Sequence, residues 1–239
     1  IVAAVVSNIT KLGRMMASWY DVCTAADKLG HLIDLPLERQ TGEPLPGGNG
    51  GVPVQLERVT CGGGLALESD VQFHMAAEAG ERIALVGSPG GAASRLLDVL
   101  FGLRDPEGGH VTVDGLDLRQ LRLDRTRDEF SLVHGTEIVE GTILENIRFG
   151  RDHVPLDAIR RALEEVDLWD EVMALPQGLE TPLTTKGQPL TASQNSRLML
   201  ARAIVGEPRL LLIDGTLDSL SPRLRRRIVP RLFGSDHAW

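Results

Sequence analysis

The sequence lacks the features that mark several common classes of protein. Its two cysteines, Cys23 and Cys61, are too few for a disulfide framework and have no metal-ligand spacing, so a reducing compartment is the simpler setting. The six histidines show no HExxH pairing. The formal net charge is −8, whereas nucleic-acid binders usually present a basic face, and the basic run from Arg223 to Arg227 fits a solvated helix face. We therefore expect no disulfide scaffold and no nucleic-acid partner.

A long apolar run is also missing from the start of the chain. The sequence begins with Ile, and the run from Ile1 to Val6 is too short to span a bilayer. No basic region precedes it, so it does not fit a signal peptide. We expect the chain to be part of a longer protein.

The composition and periodicity of the sequence change near residue 40. Residues 1–34 place apolar side chains at helical spacing, with no proline before Pro36, which predicts one long helix. Residues 41–53 crowd glycine and proline without periodicity, which is typical of a linker. We therefore predict a helical segment over residues 1–40, a linker over 41–53 and a second domain over 54–239.

Strand and helix patterns alternate in this second domain. Residues 54–59 and 71–75 alternate between apolar and polar side chains, which predicts strands of an antiparallel flap. Residues 81–86 and 209–214 fit buried strands, and residues 93–102, 155–173 and 192–206 fit helices. A strand with a turn fits residues 109–116. This order favours an α/β architecture with a central, mainly parallel sheet.

A glycine-rich turn lies between a predicted strand and a predicted helix, which is the setting that a phosphate-binding loop needs. Against the pattern GxxxxGK[ST], Gly87 and Ser94 match the first and last positions, whereas Ala92 and Ala93 replace glycine and lysine. Gly90 still permits part of the backbone wrap around an anion, and Ser94 offers a hydroxyl to Mg²⁺. Ala93 brings no positive charge to a phosphate. A generic glycine-rich turn fits the same residues equally well.

Flanking segments resemble the nucleotide-binding part of ABC-type membrane exporters, in the right order and spacing over residues 20–232. Leu190-Thr-Ala-Ser-Gln194 stands where those proteins have the signature LSGGQ, and the helix from Arg197 to Ile204 is similar to the one that follows it. Four further segments are similar to family sequences: Ala25–Glu38, Ala79–Gly87, Glu140–Ile147 and Leu175–Thr181. Six ordered matches are far more specific than the phosphate loop alone.

The resemblance implies a P-loop NTPase-like ABC ATPase domain with a central, mainly parallel sheet, an antiparallel β flap and a helical subdomain. Residues 1–40 would be the end of the last transmembrane helix. The family implies ATP and Mg²⁺ as cofactors and two partners: a second nucleotide-binding domain, in a homo- or heterodimer, and a transmembrane domain of this protein or of its partner. It also implies association with a membrane, with this domain facing the cytoplasm.

The resemblance assigns roles to residues, and several positions depart from the family pattern. Nucleotide contacts fall to Gly87, Gly90, Ser94 and Gln194, and Mg²⁺ contacts to Ser94 and Asp214. Ala93 replaces the lysine, Gly215 replaces the glutamate that polarises the attacking water, and His134 replaces the Q-loop glutamine. No catalytic residue can be assigned, and the switch histidine would lie beyond the end of the sequence. Because one preorganised donor is worth about 10²–10³ in rate, we expect little or no hydrolysis. Because the phosphate loop departs from the family pattern, we also expect weak or absent nucleotide binding.

Three functions remain open at this point. The first is a hydrolysis-impaired exporter subunit with a structural or regulatory role in coupling ATP binding to transport. The second is an active ATPase that uses composite sites formed with a partner. The third is an interaction module that uses the fold without transport, which the N-terminal helix and linker disfavour.

Overall fold

The structure is a computed structural model that describes residues 2–34, 38–48, 50–62, 71–88, 90–234, 237 and 239, without the side chains of residues 2–10 and of residue 32. The chain divides into two compact units, Ile1–Arg39 and Gln40–Trp239. The helices are α1 (Val2–Ile33), α2 (Ala92–Leu100), α3 (Leu123–Glu129), α4 (Ile143–Arg148), α5 (Leu156–Glu165), α6 (Trp169–Met173), α7 (Ala192–Ile204) and α8 (Pro222–Leu232). The strands are β1 (Val54–Thr60), β2 (Gln72–Ala77), β3 (Gly108–Val113), β4 (Leu116–Asp117), β5 (Phe130–His134), β6 (Gly141–Thr142), β7 (Pro182–Leu183) and β8 (Leu210–Asp214). Short 3₁₀ turns cover Leu118–Gln120, Gly178–Glu180 and Thr216–Ser219.

The first unit is the single long helix that the apolar spacing predicts. Its large apolar side chains, including Met15, Trp19 and Ile33, are more than half exposed within the unit. Among the described residues, no helix combines the length and apolar character that a membrane crossing requires.

The glycine- and proline-rich segment after α1 belongs to the second unit and contacts the rest of that unit at several points. Leu45 and Val52 are buried among core residues. The backbone N–H of Glu43 donates to the carbonyl of Gln120, and Arg209 donates to the carbonyls of Pro46 and Gly50. This segment is therefore held in place by side chains and backbone groups far away in sequence.

The antiparallel flap has the strand order β2-β1-β3-β4, which confirms the flap that the alternating residues predict. The register of β1 shifts between Leu56 and Val59 against β2, next to Arg58 with φ +50°. Gly109 lies opposite this irregularity with φ +79°, and a Cβ there would come within 2.4 Å of the carbonyl oxygens of Glu57 and Arg58. Glycine is the residue that fits so close a backbone approach.

The parallel part of the sheet, within the described residues, consists of β5 and β8 paired in register from Phe130↔Leu210 to His134↔Asp214. The prediction of a buried strand over residues 81–86 was wrong. Ile83 and Val86 are exposed, and Arg82 donates to the carbonyl of Gly234 near the other end of the chain. A short apolar run becomes a strand only if a neighbouring strand forms a ladder of hydrogen bonds with it. No described strand pairs with residues 81–86.

Two apolar clusters form the core of the second unit. The first joins β1, β3 and α2 with Phe130 and Leu212, and the second joins α4, α5, α7 and α8. The helix predicted over residues 155–173 is two helices, because the chain leaves the helical conformation at Asp167, which has φ +58°. The predicted apolar stripe nevertheless lies inside, with Ile159, Leu163 and Val172 fully buried. The helix predicted over 192–206 is confirmed as α7.

Candidate functional site

A cluster of polar side chains lies where β5 and β8 end. The two strands are parallel, so their carboxyl ends meet at one edge, which is where open α/β sheets bind ligands. Asp214, the last residue of β8, is directly opposite His134, the last residue of β5. The Nδ1 atom of His134 lies 2.8 Å from Oδ2 of Asp214. The imidazole is largely exposed, whereas the carboxylate is mostly covered.

Helix α2 contributes a third group to this edge. Ser94, in its first turn, is buried, and its hydroxyl donates to Oδ1 of Asp214 at 3.0 Å. The structure therefore brings together Ser94 and Asp214, the two residues predicted to contact Mg²⁺, although they are 120 residues apart in sequence. Ser94 and His134 therefore each contact one oxygen of the Asp214 carboxylate.

Two backbone N–H groups of the glycine-rich turn before α2 donate to atoms close by in the same stretch of chain. The N–H of Gly90 donates to Oγ of Ser94 at 3.2 Å, and the N–H of Gly91 donates to the carbonyl of Ser88 at 2.9 Å. Gly90 has φ +68°, a conformation that disfavours side chains with a Cβ. Ala92 begins the helix with no positive φ, so its Cβ does not strain the backbone. These two N–H groups stabilise the turn.

Gly87 and Ala93 are neighbours at the mouth of this turn. A Cβ built on Gly87 would lie 3.5 Å from the Cβ of Ala93, which is ordinary contact. Gly87 is exposed and Ala93 half-buried. Neither side chain offers a charge or a hydrogen-bond donor to a ligand.

A cleft of about 270 Å³ opens beside Asp214. Its lining residues are Gly90, His134, Gly135, Thr136, Ser196, Asp214, Gly215, Thr216 and Ser219. Hydroxyl groups contribute to its lining, where Oγ of Ser219 lies 2.6 Å from the backbone carbonyl oxygen of Thr216 and 2.9 Å from Oγ of Ser196. The lining, as far as the structure describes it, contains no lysine, no arginine and no carboxylate other than Asp214. The sequence pattern did not identify these serine and threonine residues, because nothing in their spacing marks them.

Gly215 follows Asp214 with φ +64°, the left-handed region. A Cβ built there would meet no heavy atom within 4 Å, so there is space for a Cβ at this position. For a Cβ, only the backbone conformation is unfavourable.

Gln194, the fourth predicted nucleotide contact, is not part of this cluster. It lies in the first turn of α7, where it forms a capping box with Thr191: each residue's side chain accepts from the other's backbone N–H. Its amide nitrogen donates to Oε2 of Glu171 on α6 at 2.7 Å. The amide of Gln194 is thus directed toward the helices of the second core.

Glu171 and Arg197 hold the side chain of Gln194 in this position. No pattern in the sequence had pointed to Glu171. Two guanidinium nitrogens of buried Arg197 donate to the two carboxylate oxygens of Glu171, at 2.9 and 2.8 Å. The hydrogen bonds from Arg197, with a smaller contribution from Gln194, lower the pKa of Glu171 below its ordinary value. The carboxylate therefore stays ionised and holds the start of α7 against α6.

The donor set at Asp214 limits which ions the site can hold. The described residues contain no group of three or more His, Cys, Asp or Glu side chains that could hold a metal alone. Ser94 and Asp214 supply two oxygen donors, and His134 supplies one nitrogen. A cation here would need further ligands from water or from phosphate oxygens.

Comparison with protein families gives one match to more than half of the chain. The family model described as ABC transporter matches residues 71–217.

Three relatives are similar in sequence. An "ATP-dependent lipid A-core flippase" of Saccharophagus degradans is 28% identical over 230 residues, which cover 95% of this chain and 39% of the relative. The "ABC transporter B family member 21" of Arabidopsis thaliana is 32% identical over 164 residues, 67% of this chain and 13% of the relative. The human "ATP-binding cassette sub-family B member 5" is 34% identical over 144 residues, 60% of this chain and 12% of the relative. This chain thus spans less than half the length of each.

A solved structure shares the fold. A bacterial Atm1-family ABC exporter with ATP bound superposes with a TM-score of 0.74 at 24% identity, covering 89% of this chain and 38% of that one. The predicted fold class, an α/β ABC ATPase domain with a helix before it, is confirmed.

Proposed function

Since this chain belongs to the ABC transporter family, with an exporter-type nucleotide-binding domain, we propose that it is a hydrolysis-impaired subunit that supports transport through its shape and contacts. In this proposal its own phosphate site binds ATP and Mg²⁺ weakly and hydrolyses ATP little. Its role in the transporter is structural or regulatory.

The chemistry of the cleft beside Asp214 carries the proposal. Phosphoryl transfer depends on positioning and on cations that neutralise charge on the transferred group. The described lining offers no cationic side chain, and Gly215 offers no carboxylate to orient a water molecule. The loss of one preorganised group costs about 10²–10³ in rate. A site that lacks both the cationic side chain and the carboxylate is therefore expected to be nearly inactive.

The residues that remain fit a weakly held metal–nucleotide complex. Ser94 and Asp214 would hold the metal ion, and the backbone of the turn from Gly87 to Ser94 would approach the phosphates. ATP would supply phosphate oxygens to complete the ligand set of the metal. The N–H of Gly90 already donates to Ser94, so it is not free to bind a phosphate unless that hydrogen bond breaks.

The proposal includes two protein partners and a location. A second nucleotide-binding domain would pair with this one, as a homodimer or a heterodimer, and Gln194 would face that partner's nucleotide. A transmembrane domain, of this protein or of its partner, would hold the assembly in a membrane with this domain on the cytoplasmic side. The acidic net charge of −8 gives no support to a nucleic-acid partner.

The test is a comparison of MgATP binding and hydrolysis by the chain and by Ala93→Lys. We expect the unmodified chain to bind MgATP more weakly than micromolar by calorimetry and to release phosphate at background rate. Ala93 is half-buried beside Gly87, so a longer side chain can extend past the exposed glycine. Lysine should tighten MgATP binding about tenfold, because a charge-assisted hydrogen bond contributes roughly 1.5 kcal/mol or more.

The matched control is Ala93→Gln, which adds length without charge and should leave MgATP affinity within about twofold of the unmodified chain. Micromolar MgATP affinity or steady phosphate release by the unmodified chain would overturn the proposal.

A further inference from the structure

Helix α8 concentrates positive charge in a chain that is acidic as a whole. Five of its 11 residues are arginine and none is acidic, whereas the formal net charge of the chain is −8. The first turn of a helix favours negative side chains, because its free backbone N–H groups carry partial positive charge. The first turn of α8 contains Arg223 and no acidic residue. Arg226 and Arg227 follow at three and four positions, where like charges repel. These arginines therefore work against the stability of their own helix.

Three of the five arginines have carboxylate partners within the second unit. A guanidinium nitrogen of Arg227 lies 2.6 Å from Oδ1 of Asp167, and one of Arg231 lies 3.8 Å from the same oxygen. A guanidinium nitrogen of Arg225 lies 3.6 Å from Oδ1 of Asp218. These three arginines thus serve contacts between α8 and neighbouring turns of the chain.

The other two arginines lie on the opposite side of the helix from its buried side chains. At about 3.6 residues per turn, Arg223 and Arg226 point away from Ile228 and Leu232, which are fully buried in the core. Both arginines are exposed, and neither forms a hydrogen bond or ion pair with any residue that the structure describes. Pro230, also exposed, lies on the same side. We call the surface of Arg223, Arg226 and Pro230 the free face of α8.

The chemistry of the free face limits the class of partner. A helix that binds a membrane surface inserts apolar side chains among the lipids, but the apolar side of α8 is already packed in the core of the domain. A nucleic-acid duplex extends well beyond two side chains, and its phosphates would be repelled by a chain of net charge −8. A short segment that carries carboxylates meets only the local positive charge, because salt screens charges farther away than about 10 Å.

The spacing of the two arginines suits such a segment. Side chains three positions apart on a helix are separated by about 5–6 Å at their Cβ atoms, so two carboxylates of one short segment can reach both. The planar guanidinium of arginine binds a carboxylate through two parallel N–H groups. We propose that the free face of α8 docks a short acidic segment of a partner protein, with one carboxylate on Arg223 and one on Arg226. Binding would neutralise the charges that oppose the helix in the isolated chain.

The experiment follows the arginine side chains of the full chain by ¹H–¹⁵N NMR after labelling with ¹⁵N-arginine. The probe is hexaglutamate, titrated at low and at physiological salt. We expect the Nε–H signals of Arg223 and Arg226, assigned with the single variants Arg223→Gln and Arg226→Gln, to shift and saturate. The shifts should weaken at the higher salt concentration.

Two double variants test the site. Arg223→Gln with Arg226→Gln should weaken hexaglutamate binding about fivefold or more, the product of two exposed ion pairs. The matched control is Arg104→Gln with Arg161→Gln, which removes two other exposed arginines without partners among the described residues. The control has the same net charge and should bind hexaglutamate as the unmodified chain does.

Stability gives a second, independent readout. Because Arg223 and Arg226 oppose the helix, their replacement by glutamine should leave the urea midpoint unchanged or raise it. A lower midpoint would show that the two arginines serve the fold, and it would overturn the inference.

Three binding results would also overturn it. The first is no shift of the Arg223 and Arg226 signals with hexaglutamate, and the second is an equal loss of binding in the control variant. The third is tighter binding of a DNA duplex or of phosphatidylserine vesicles to the same two arginines. These outcomes are separate from the proposed function, which is decided by MgATP binding and phosphate release.

Discussion

Replacement of Gly215 by alanine isolates the energetic effect of the backbone conformation beside Asp214. Gly215 has φ +64°, and a Cβ built on it meets no heavy atom within 4 Å. Steric crowding by neighbours therefore adds nothing to the effect of the substitution. The remaining contribution is the left-handed conformation of a residue with a side chain.

The expected change follows from two opposing effects. A left-handed conformation costs an L-residue roughly 1–2 kcal/mol. Replacement of glycine also reduces the entropy of the unfolded chain, which stabilises the folded state by about 0.4–1 kcal/mol. We therefore expect Gly215→Ala to lower the free energy of unfolding by about 1 kcal/mol, and Gly215→Glu to do the same. A carboxylate at this position would thus come with a measurable loss of stability.

Urea unfolding followed by tryptophan fluorescence measures the effect, since Trp169 packs against the second core. With a slope near 2.5 kcal/mol per molar, about 1 kcal/mol corresponds to a midpoint about 0.4 M lower. Gly47→Ala is the control, because Gly47 also has open space around its Cβ position but no positive φ. That variant should be unchanged or more stable. If both variants shift alike, or if Gly215→Ala is not destabilised, the reasoning is refuted.

Three further predictions concern the rest of the second unit and Cys23 in the first. Arg197 lowers the pKa of Glu171 below its ordinary value of 4.5, so the stabilisation is complete above that pH and is lost as the pH falls through the lowered pKa. Glu171→Gln should therefore lower the unfolding free energy at pH 7. The difference in unfolding free energy between this variant and the unmodified chain should be smaller at pH 3, and an equal difference at both pH values would contradict the prediction. Burial raises the pKa of Cys61 to about 11, so at pH 8 a thiol reagent should label Cys23 in the native chain and both cysteines only in urea. Leu163 is fully buried, and Leu163→Ala should lower the unfolding free energy by about 3 kcal/mol in urea titration, whereas a loss below 1 would show that the second core refills the space.

Most local elements of the fold could be predicted because their signals lie within short stretches of sequence. The apolar stripe through Ile159 and Leu163 repeats at helical spacing, and both side chains are fully buried in the structure. The run that ends in Asp214 is rich in leucine, and it forms β8 as expected. The flap strands alternate as predicted. In each case the residues that determine the element are neighbours in sequence.

Where the prediction went wrong, the cause is a distant partner. Residues 81–86 have a strand-like composition, but Arg82 is held by the carbonyl of Gly234, 152 residues away, and no strand pairs with the segment among the described residues. The helical stripe through residues 155–173 is interrupted at Asp167, whose carbonyl accepts from Arg197 and whose carboxylate accepts from Arg227. Local periodicity cannot report contacts of this kind.

The sequence by itself determined the order of strands and helices, the family resemblance and the identity of the residues at the phosphate loop. The tertiary structure decided which of those residues meet. It placed His134 opposite Asp214, 80 residues apart, and directed the amide of Gln194 toward Glu171. The physical reason is that strand register and helix packing set the distance between side chains, and both depend on contacts that form only when the whole unit folds.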